Sequence, residues 1–294
     1  MRFFIFICKI LVLVLPISIL LKLGSFLGYL AYSLVPRRRK IVLINLKLCF
    51  PNLTEKQRKK LAQQNFKNMG IGLFEALISW FKPIETLNKQ KTSILGLDNL
   101  KGIKKSERGV MVLTGHLTSL DIMPFVLSKF EEFDFVYRPH EKKYLDNIIK
   151  NGRERFGHGV IPRFDMRQMF KALKNKKRVV YLLDQDLGLK HTAFVPFFNI
   201  PTATLTTMYS IAKKTNSALV PAVYYRKNNG EYVFKFYPEI NINKFKDLSE
   251  SEIAFEVAKI YNNILEKTIR EYPAQYLWAH RRFKTRPKGD KYPY

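Results

Sequence analysis

The run Val110-Met111-Val112-Leu113-Thr114-Gly115-His116-Leu117-Thr118-Ser119-Leu120-Asp121 decides how this chain is read. Four apolar residues lead into a threonine and a glycine, and a histidine then stands five residues before a carboxylate. The apolar part reads as a buried strand and the polar part as the turn at its carboxyl end. On a continuous helix a spacing of five leaves two side chains about 140° apart. His116 and Asp121 therefore share a site only if His116 sits in the turn and Asp121 in the first turn of a following helix. Thr118 or Ser119 would cap that helix, and its dipole would favour the Asp121 carboxylate. A histidine oriented by an acid suits general-base chemistry. With 24 acids in 294 residues the spacing alone arises easily by chance, so the neighbouring strand ends must carry the reading further.

The pattern of strand followed by helix repeats outward. Thr54-Glu55-Lys56-Gln57 is a capping-box signature that opens a helix over 54–69, with a second apolar helix over 71–81 after Gly70. Residues 94–97 and 109–114 read as strands. A further strand over 134–139 ends at Tyr137-Arg138-Pro139, and a helix over 141–156 precedes a short strand at 159–162. A helix over 165–174 leads to a strand over 178–183 that ends in Asp184-Gln185-Asp186. Residues 202–215 read as a helix, 219–225 and 232–237 as paired strands. A second capping box at Ser249–Glu252 opens a helix to about 271. Alternation of this kind predicts an α/β fold, a mixed central sheet flanked by helices. Polar residues cluster functionally at the carboxyl ends of such strands, where His116, Arg138, Asp184 and Asp186 all fall.

Composition bounds the partners. The chain carries 51 Lys and Arg against 24 Asp and Glu, a formal charge of +27. A charge of this size asks for an acidic partner: an anionic membrane, a phosphorylated substrate, an acidic carrier protein or nucleic acid. Cys8 and Cys49 form no CxxC and no His/Cys cluster, so neither a zinc site nor a disulfide framework is supported. From residue 3 to 32 the chain is almost continuously apolar, interrupted by Lys9 and Lys22, and residues 3–21 reach the roughly 20 residues a bilayer requires. Pro36-Arg37-Arg38-Arg39-Lys40 follows, and positive charge beside a span marks its cytoplasmic side. The reading is an uncleaved membrane anchor over 1–35, kinked at Pro16, with the N-terminus outside and a single domain over 36–294 in the cytoplasm. A cleaved signal peptide and an interfacial helix pair are the rival readings.

Two further stretches are distinctive. Phe194-Val195-Pro196-Phe197-Phe198-Asn199-Ile200-Pro201 is an aromatic loop too apolar for a solvent turn, and it reads as an acyl-chain or membrane contact through Phe197, or as core. Leu277-Trp278-Ala279-His280-Arg281-Arg282-Phe283-Lys284 mixes aromatics with cations, which suits an anionic headgroup or phosphate. Gly115-His116-x4-Asp121, Tyr137-Arg138-Pro139, Asp184-Gln185-Asp186-x-Gly188, Phe194 to Phe198 and Leu277 to Lys284 stand in the order found in the late acyltransferases of lipid A biosynthesis. Over effectively its whole length the chain resembles that family, the bacterial inner-membrane lauroyl and myristoyl transferases. The first motif alone points only to the wider glycerolipid acyltransferase superfamily. Many members carry Glu where this chain has Asp121, and the shorter arm changes how the imidazole is held.

The resemblance implies a glycerolipid acyltransferase-like fold and acyl transfer from acyl carrier protein to a hydroxyl of a Kdo-lipid IV(A)-type lipid A precursor. His116 would take the hydroxyl proton and Asp121 would fix its tautomer. No enzyme nucleophile is needed, and the chain has no G-x-S-x-G. Arg138 is the candidate for an acceptor phosphate or for charge developing on the thioester oxygen. Asp184 and Asp186 would orient Arg138 or a sugar hydroxyl, or form a structural ion pair. Arg281 and Arg282 would hold the anionic lipid. The expected partners are acyl carrier protein as co-substrate, the anionic lipid precursor and the inner membrane, with no nucleic acid, metal or other cofactor. An acyltransferase of the same fold acting on another glycolipid or an aminolipid, with acyl-CoA as donor, is the alternative. A basic nucleic-acid-binding protein would explain the charge but not the ordered polar residues at strand ends.

Overall fold

The computed structural model describes residues 2–105 and 108–294. Its elements run α1 (Arg2–Val14), α2 (Ile17–Leu34), α3 (Pro36–Cys49), α4 (Glu55–Phe81), α5 (Ile84–Asn88), β1 (Thr92–Leu95), α6 (Asp98–Lys105) and β2 (Val110–Thr114). They continue with α7 (Met123–Ser128), β3 (Asp134–Tyr137), α8 (Lys143–Glu154), β4 (Gly159–Pro162), α9 (Met166–Lys174), β5 (Arg178–Leu182), β6 (Thr192–Phe197) and β7 (Ile200–Leu205). The last are α10 (Thr207–Thr215), β8 (Ala218–Arg226), β9 (Tyr232–Phe236) and α11 (Glu250–Glu271).

Seven strands form one mixed sheet in the order β1-β9-β8-β2-β5-β3-β4. Only β8 and β9 pair antiparallel; the other neighbours are parallel. The central strand β2 is buried on both faces, which is why its sequence is an unbroken apolar run and does not alternate. Parallel pairing sets which residues stand side by side beyond the strands. Thr114 is in register with Leu182, and Tyr137 with Pro162. Continuing each pair outward brings His116 beside Asp184 and Arg138 beside Arg163.

Three local readings change in the fold. The expected pair of helices over 54–81 is the single helix α4, opened by the Thr54/Gln57 capping box. Gly70 does not break it but serves close packing: a Cβ there would lie 2.1 Å from the Gly24 carbonyl oxygen. Small residues let two helix backbones approach in this way. The aromatic loop and the first part of the helix expected over 202–215 are instead the β6–β7 hairpin, in which Phe194 pairs with Ala203 and Phe197 with Ile200. Phe198 and Asn199 make its turn at φ of 52° and 60°. The β-branched Ile200, Thr202 and Thr204 favour strand over helix locally, and α10 starts only at Thr207. The basic block after Val35 is part of a helix, α3, with Pro36 in its first turn.

Pro16 divides the N-terminal apolar stretch into α1 and α2, because proline cannot donate to the preceding turn. Of the two, only α2, Ile17–Leu34, is long and apolar enough to cross a membrane. Both helices fold back on the domain. Gly24 and Gly28 of α2 lie against Phe66 to Ile71 of α4, and Tyr32 meets the Phe66 ring edge-on at 5.5 Å. The buried Lys82 ammonium donates to the Val12, Leu13 and Leu15 carbonyls at 2.8–3.1 Å, closing the open end of α1. At the other end of α1, Arg2 lies over the Tyr144 ring of α8 at 5.2 Å. The outward face stays apolar: Phe3, Val14 and Leu34 are each at least 73% exposed.

Candidate active site

Just past β2 the backbone does not enter an α-helix directly. It is strapped open by the C-terminal segment: Leu117 bridges Tyr276, the Leu277 N–H donates to the His116 carbonyl at 3.0 Å and the Thr118 N–H donates to Gln275 at 2.7 Å. That segment is itself held by two buried asparagines. Asn45 of α3 donates to the Trp278 and His280 carbonyls, and Asn65 of α4 to those of Ala274 and Tyr276. From the sheet side, the buried Tyr224 hydroxyl donates to the Gly115 carbonyl at 2.8 Å and accepts from the Leu117 N–H at 3.0 Å. Every backbone neighbour of His116 is thus pinned, which fixes where its imidazole points.

The imidazole meets a carboxylate, and that carboxylate is Asp184. His116 Nδ1 lies 2.6 Å from Asp184 Oδ1, and the His116 backbone N–H donates to Asp184 Oδ2 at 2.8 Å. Asp184 is 2% exposed, and burial opposes its charge. The adjacent His116 charge, both His116 hydrogen bonds and the field of Arg282 outweigh that and hold its pKa down to about 2. An ionised carboxylate only accepts hydrogen bonds, so in the neutral imidazole Nδ1 is the nitrogen that carries the proton and Nε2 the one that can accept another. The His116 side chain is 22% exposed and faces a cavity.

Asp121 takes a different partner from the one expected. It sits in a short 3₁₀ turn, Leu120–Ile122, that no side chain caps, and its Oδ1 pairs with Arg153 Nη2 of α8 at 2.9 Å. In the fold the expected His116–Asp121 contact gives way to two separate pairs, His116 with Asp184 and Asp121 with Arg153. The reason is register: β2 and β5 place residues 116 and 184 side by side, whereas the 3₁₀ turn carries Asp121 toward α8.

The cavity, about 520 Å³, lies at the carboxyl ends of β3 and β5. Its walls are mostly apolar, with Leu120, Pro124, Phe135 and Val136 among them, and three guanidinium groups, Arg138, Arg153 and Arg163, reach it. Phe164 and Leu187, 76% and 50% exposed, stand at its edge. A concave, largely apolar site with a few convergent polar groups is the usual form of a small-molecule or lipid site.

The other sequence candidates lie elsewhere. Phe197 is buried in an aromatic cluster with Phe198, Tyr276 and Phe283, so it packs the core and does not line the cavity. Arg282 is also buried; it donates to the Ala203 carbonyl and to Thr204 Oγ1, tying the C-terminal segment to the hairpin. Asp186 accepts from the Gly188 and Thr285 N–H groups and from the Thr285 hydroxyl, so it shapes the turn after β5. The Asp186 N–H in turn donates to His280 Nε2 at 3.0 Å, and burial drops the His280 pKa to about 4. Arg281 stays near the surface against Tyr292. Arg153 and Arg163 were missed. Arg163 ends a strand just as Arg138 does, so the strand-end rule would have found it; Arg153 lies inside α8, and no local signal marks it. Among the described residues no three or more His, Cys, Asp or Glu side chains converge as metal ligands would.

A family model described as bacterial lipid A biosynthesis acyltransferase matches residues 1–285. The chain belongs to that family. It is similar to a lipid A biosynthesis lauroyltransferase of Escherichia coli (strain K12), 34% identical over 282 residues, which cover 95% of this chain and 90% of the relative. A lipid A biosynthesis palmitoleoyltransferase of the same strain is also 34% identical, covering 94% of this chain and 88% of the relative. A lipid A biosynthesis myristoyltransferase of that strain is 26% identical, with coverage of 94% and 83%. This lipid A acyltransferase therefore has relatives named for three different acyl chains.

Proposed function

We propose that the protein transfers a fatty acyl chain from an acyl carrier protein thioester to a hydroxyl of a Kdo-lipid IV(A)-type lipid A precursor, with His116 as general base. The observation that carries this reading is the bond from His116 Nδ1 to the ionised Asp184, which leaves Nε2 facing an apolar cavity. In the proposed step Nε2 takes the acceptor hydroxyl proton as that oxygen attacks the thioester carbonyl carbon. The C–O bond forms, the C–S bond breaks, and the imidazolium returns its proton to the departing thiolate. Asp184 stabilises the imidazolium in between. Arg153, only 13% exposed and steered by Asp121, is placed for the negative charge that develops on the carbonyl oxygen. The more exposed Arg138 faces substrate phosphate.

The apolar outer faces of α1 and α2 and the exposed Phe164 and Leu187 at the cavity edge support membrane attachment. Because α1 and α2 are packed along the domain at both ends, the arrangement favours a pair embedded in the cytoplasmic leaflet of the inner membrane over a span standing clear of the domain. The cationic surface near the membrane would attract anionic lipid at about 1 kcal/mol per charge, and the same field suits an acidic carrier protein.

The test is an in vitro assay with full-length protein in detergent, acyl carrier protein thioesters of graded chain length and a Kdo-bearing tetra-acylated acceptor. Acyl mass added to the lipid by the wild type and absent with His116→Ala would support the reading. No product with any of the thioesters from folded protein would sink it.

A further inference from the structure

Arg138 and Arg163 occupy the first positions past β3 and β4. These strands are parallel neighbours, with Tyr137 paired to Pro162, so the two arginines leave adjacent strand ends side by side. Strands so paired run about 4.8 Å apart. Both side chains line the cavity that His116 faces. Among the described residues neither has a carboxylate at salt-bridge distance. The nearby acids are otherwise engaged: Asp121 by Arg153, Asp146 by the His140 N–H and the Tyr137 hydroxyl, and Asp165 as the N-cap of α9. The Arg163 guanidinium lies 4.4 Å from the centre of the Phe164 ring, and its Nε is buried with no hydrogen-bond partner. Two like charges held together, with a buried donor unfilled, form a site that is complete only when an anion enters it.

We propose that Arg138 and Arg163 together form a phosphate-binding site that fixes one substrate in the His116 cavity, with Arg163 as its specificity-determining member. The inference rests on the acyltransferase reading for its setting but not for its test. A phosphate offers several acceptor oxygens to two forked donors, the geometry in which arginine exceeds lysine. The Phe164 ring beside Arg163 offers its face to that guanidinium and leaves the N–H donors for a ligand. Arg163 would be the more discriminating of the two because it is half-buried and Arg138 is exposed. The phosphate belongs either to the lipid acceptor or to the phosphopantetheine arm of the donor, and kinetics separate the two.

The experiment has two parts, both on the full chain in detergent. First, inorganic phosphate is titrated into wild type, Arg163→Gln and Arg163→Lys, reading thermal stability. Wild type should gain stability saturably, Arg163→Gln should gain none, and Arg163→Lys should fall between. Second, transfer is measured with the acceptor and its dephosphorylated form, and with 4′-phosphopantetheine and pantetheine thioesters. Arg163→Gln should raise KM roughly 10- to 100-fold for the phosphorylated form of one substrate and leave its phosphate-free form unchanged. Loss of discrimination on the acceptor side assigns the site to the lipid, and loss on the donor side to the carrier arm. Equal phosphate stabilisation of wild type and Arg163→Gln would overturn the proposal. So would a KM change that ignores phosphate on both substrates. If wild type transfers nothing, the acyl carrier reading fails, and the phosphate titration still decides the anion site.

Discussion

Two pairs of strand ends in this sheet share one geometry and differ in chemistry. Past β2 and β5, register brings His116 against Asp184; past β3 and β4 it brings Arg138 against Arg163. The first pair is complementary, doubly hydrogen-bonded and closed by burial of the carboxylate. The second is two like charges with, among the described residues, no carboxylate at salt-bridge distance from either. A pair whose partners satisfy each other is finished before substrate arrives, and its work is to hold one tautomer. A pair that repels waits for something outside the chain. On the proposed function, the first pair acts in catalysis and the second in binding.

The sharpest way to break the first pair is His116→Ala. Transfer should fall by about 10³-fold or more while the protein keeps its thermal transition and its detergent behaviour. Asp184→Asn comes next. The amide keeps the volume but not the charge, so kcat should drop about 10²-fold with a smaller change in KM, read in steady-state kinetics. Activity near wild type in that variant would remove Asp184 from the account. Asp121→Asn and Arg153→Gln form a third test: if Asp121 acts through Arg153, the double variant should be no slower than the slower single variant. Fully multiplicative losses would mean that the two act separately.

The smallest expected effect is on stability. In the folded protein His280 has a pKa of about 4 against an ordinary 6.5. The unfolded chain therefore binds that proton first on acidification. Stability is whole above pH 6.5 and falls as pH drops toward 4, by roughly 3 kcal/mol. Asp184, at about 2 against 3.8, adds a further loss of about 2 kcal/mol as pH falls from 3.8 toward 2. Chemical denaturation of wild type and His280→Gln between pH 7 and 4 checks this, because the variant should fall less steeply and keep the part due to the buried His158, whose pKa burial also lowers.

Much of this was legible in the chain. The apolar run at 110–113, the strand ends at Arg138 and Asp184 and the two capping boxes located the sheet, the cavity face and the helix starts. The pairing of His116 was not legible, because a sequence shows which residues end strands but not which strands are neighbours. Asp121 looked like the partner since it is near along the chain; Asp184 is the partner since β5 lies next to β2. Phe197 and Arg282 misled for a related reason. An aromatic or a guanidinium reads alike whether it faces a lipid or fills a core, and here the β6–β7 hairpin and the C-terminal segment bury both against each other. Gly70 read as a break because glycine lowers helix propensity, while its use is the contact with Gly24 across two helices.

The most direct test of the His116–Asp184 assignment is the tautomer of His116. The chain has five histidines, so ¹⁵N NMR of histidine-labelled protein in detergent, with His116→Gln to assign the resonance, is tractable. The neutral wild-type imidazole should carry its proton on Nδ1 and not on Nε2, with that preference lost in Asp184→Asn and kept in Asp121→Asn. A neutral wild-type ring with its proton on Nε2, or a tautomer that follows Asp121 and ignores Asp184, would contradict the assignment.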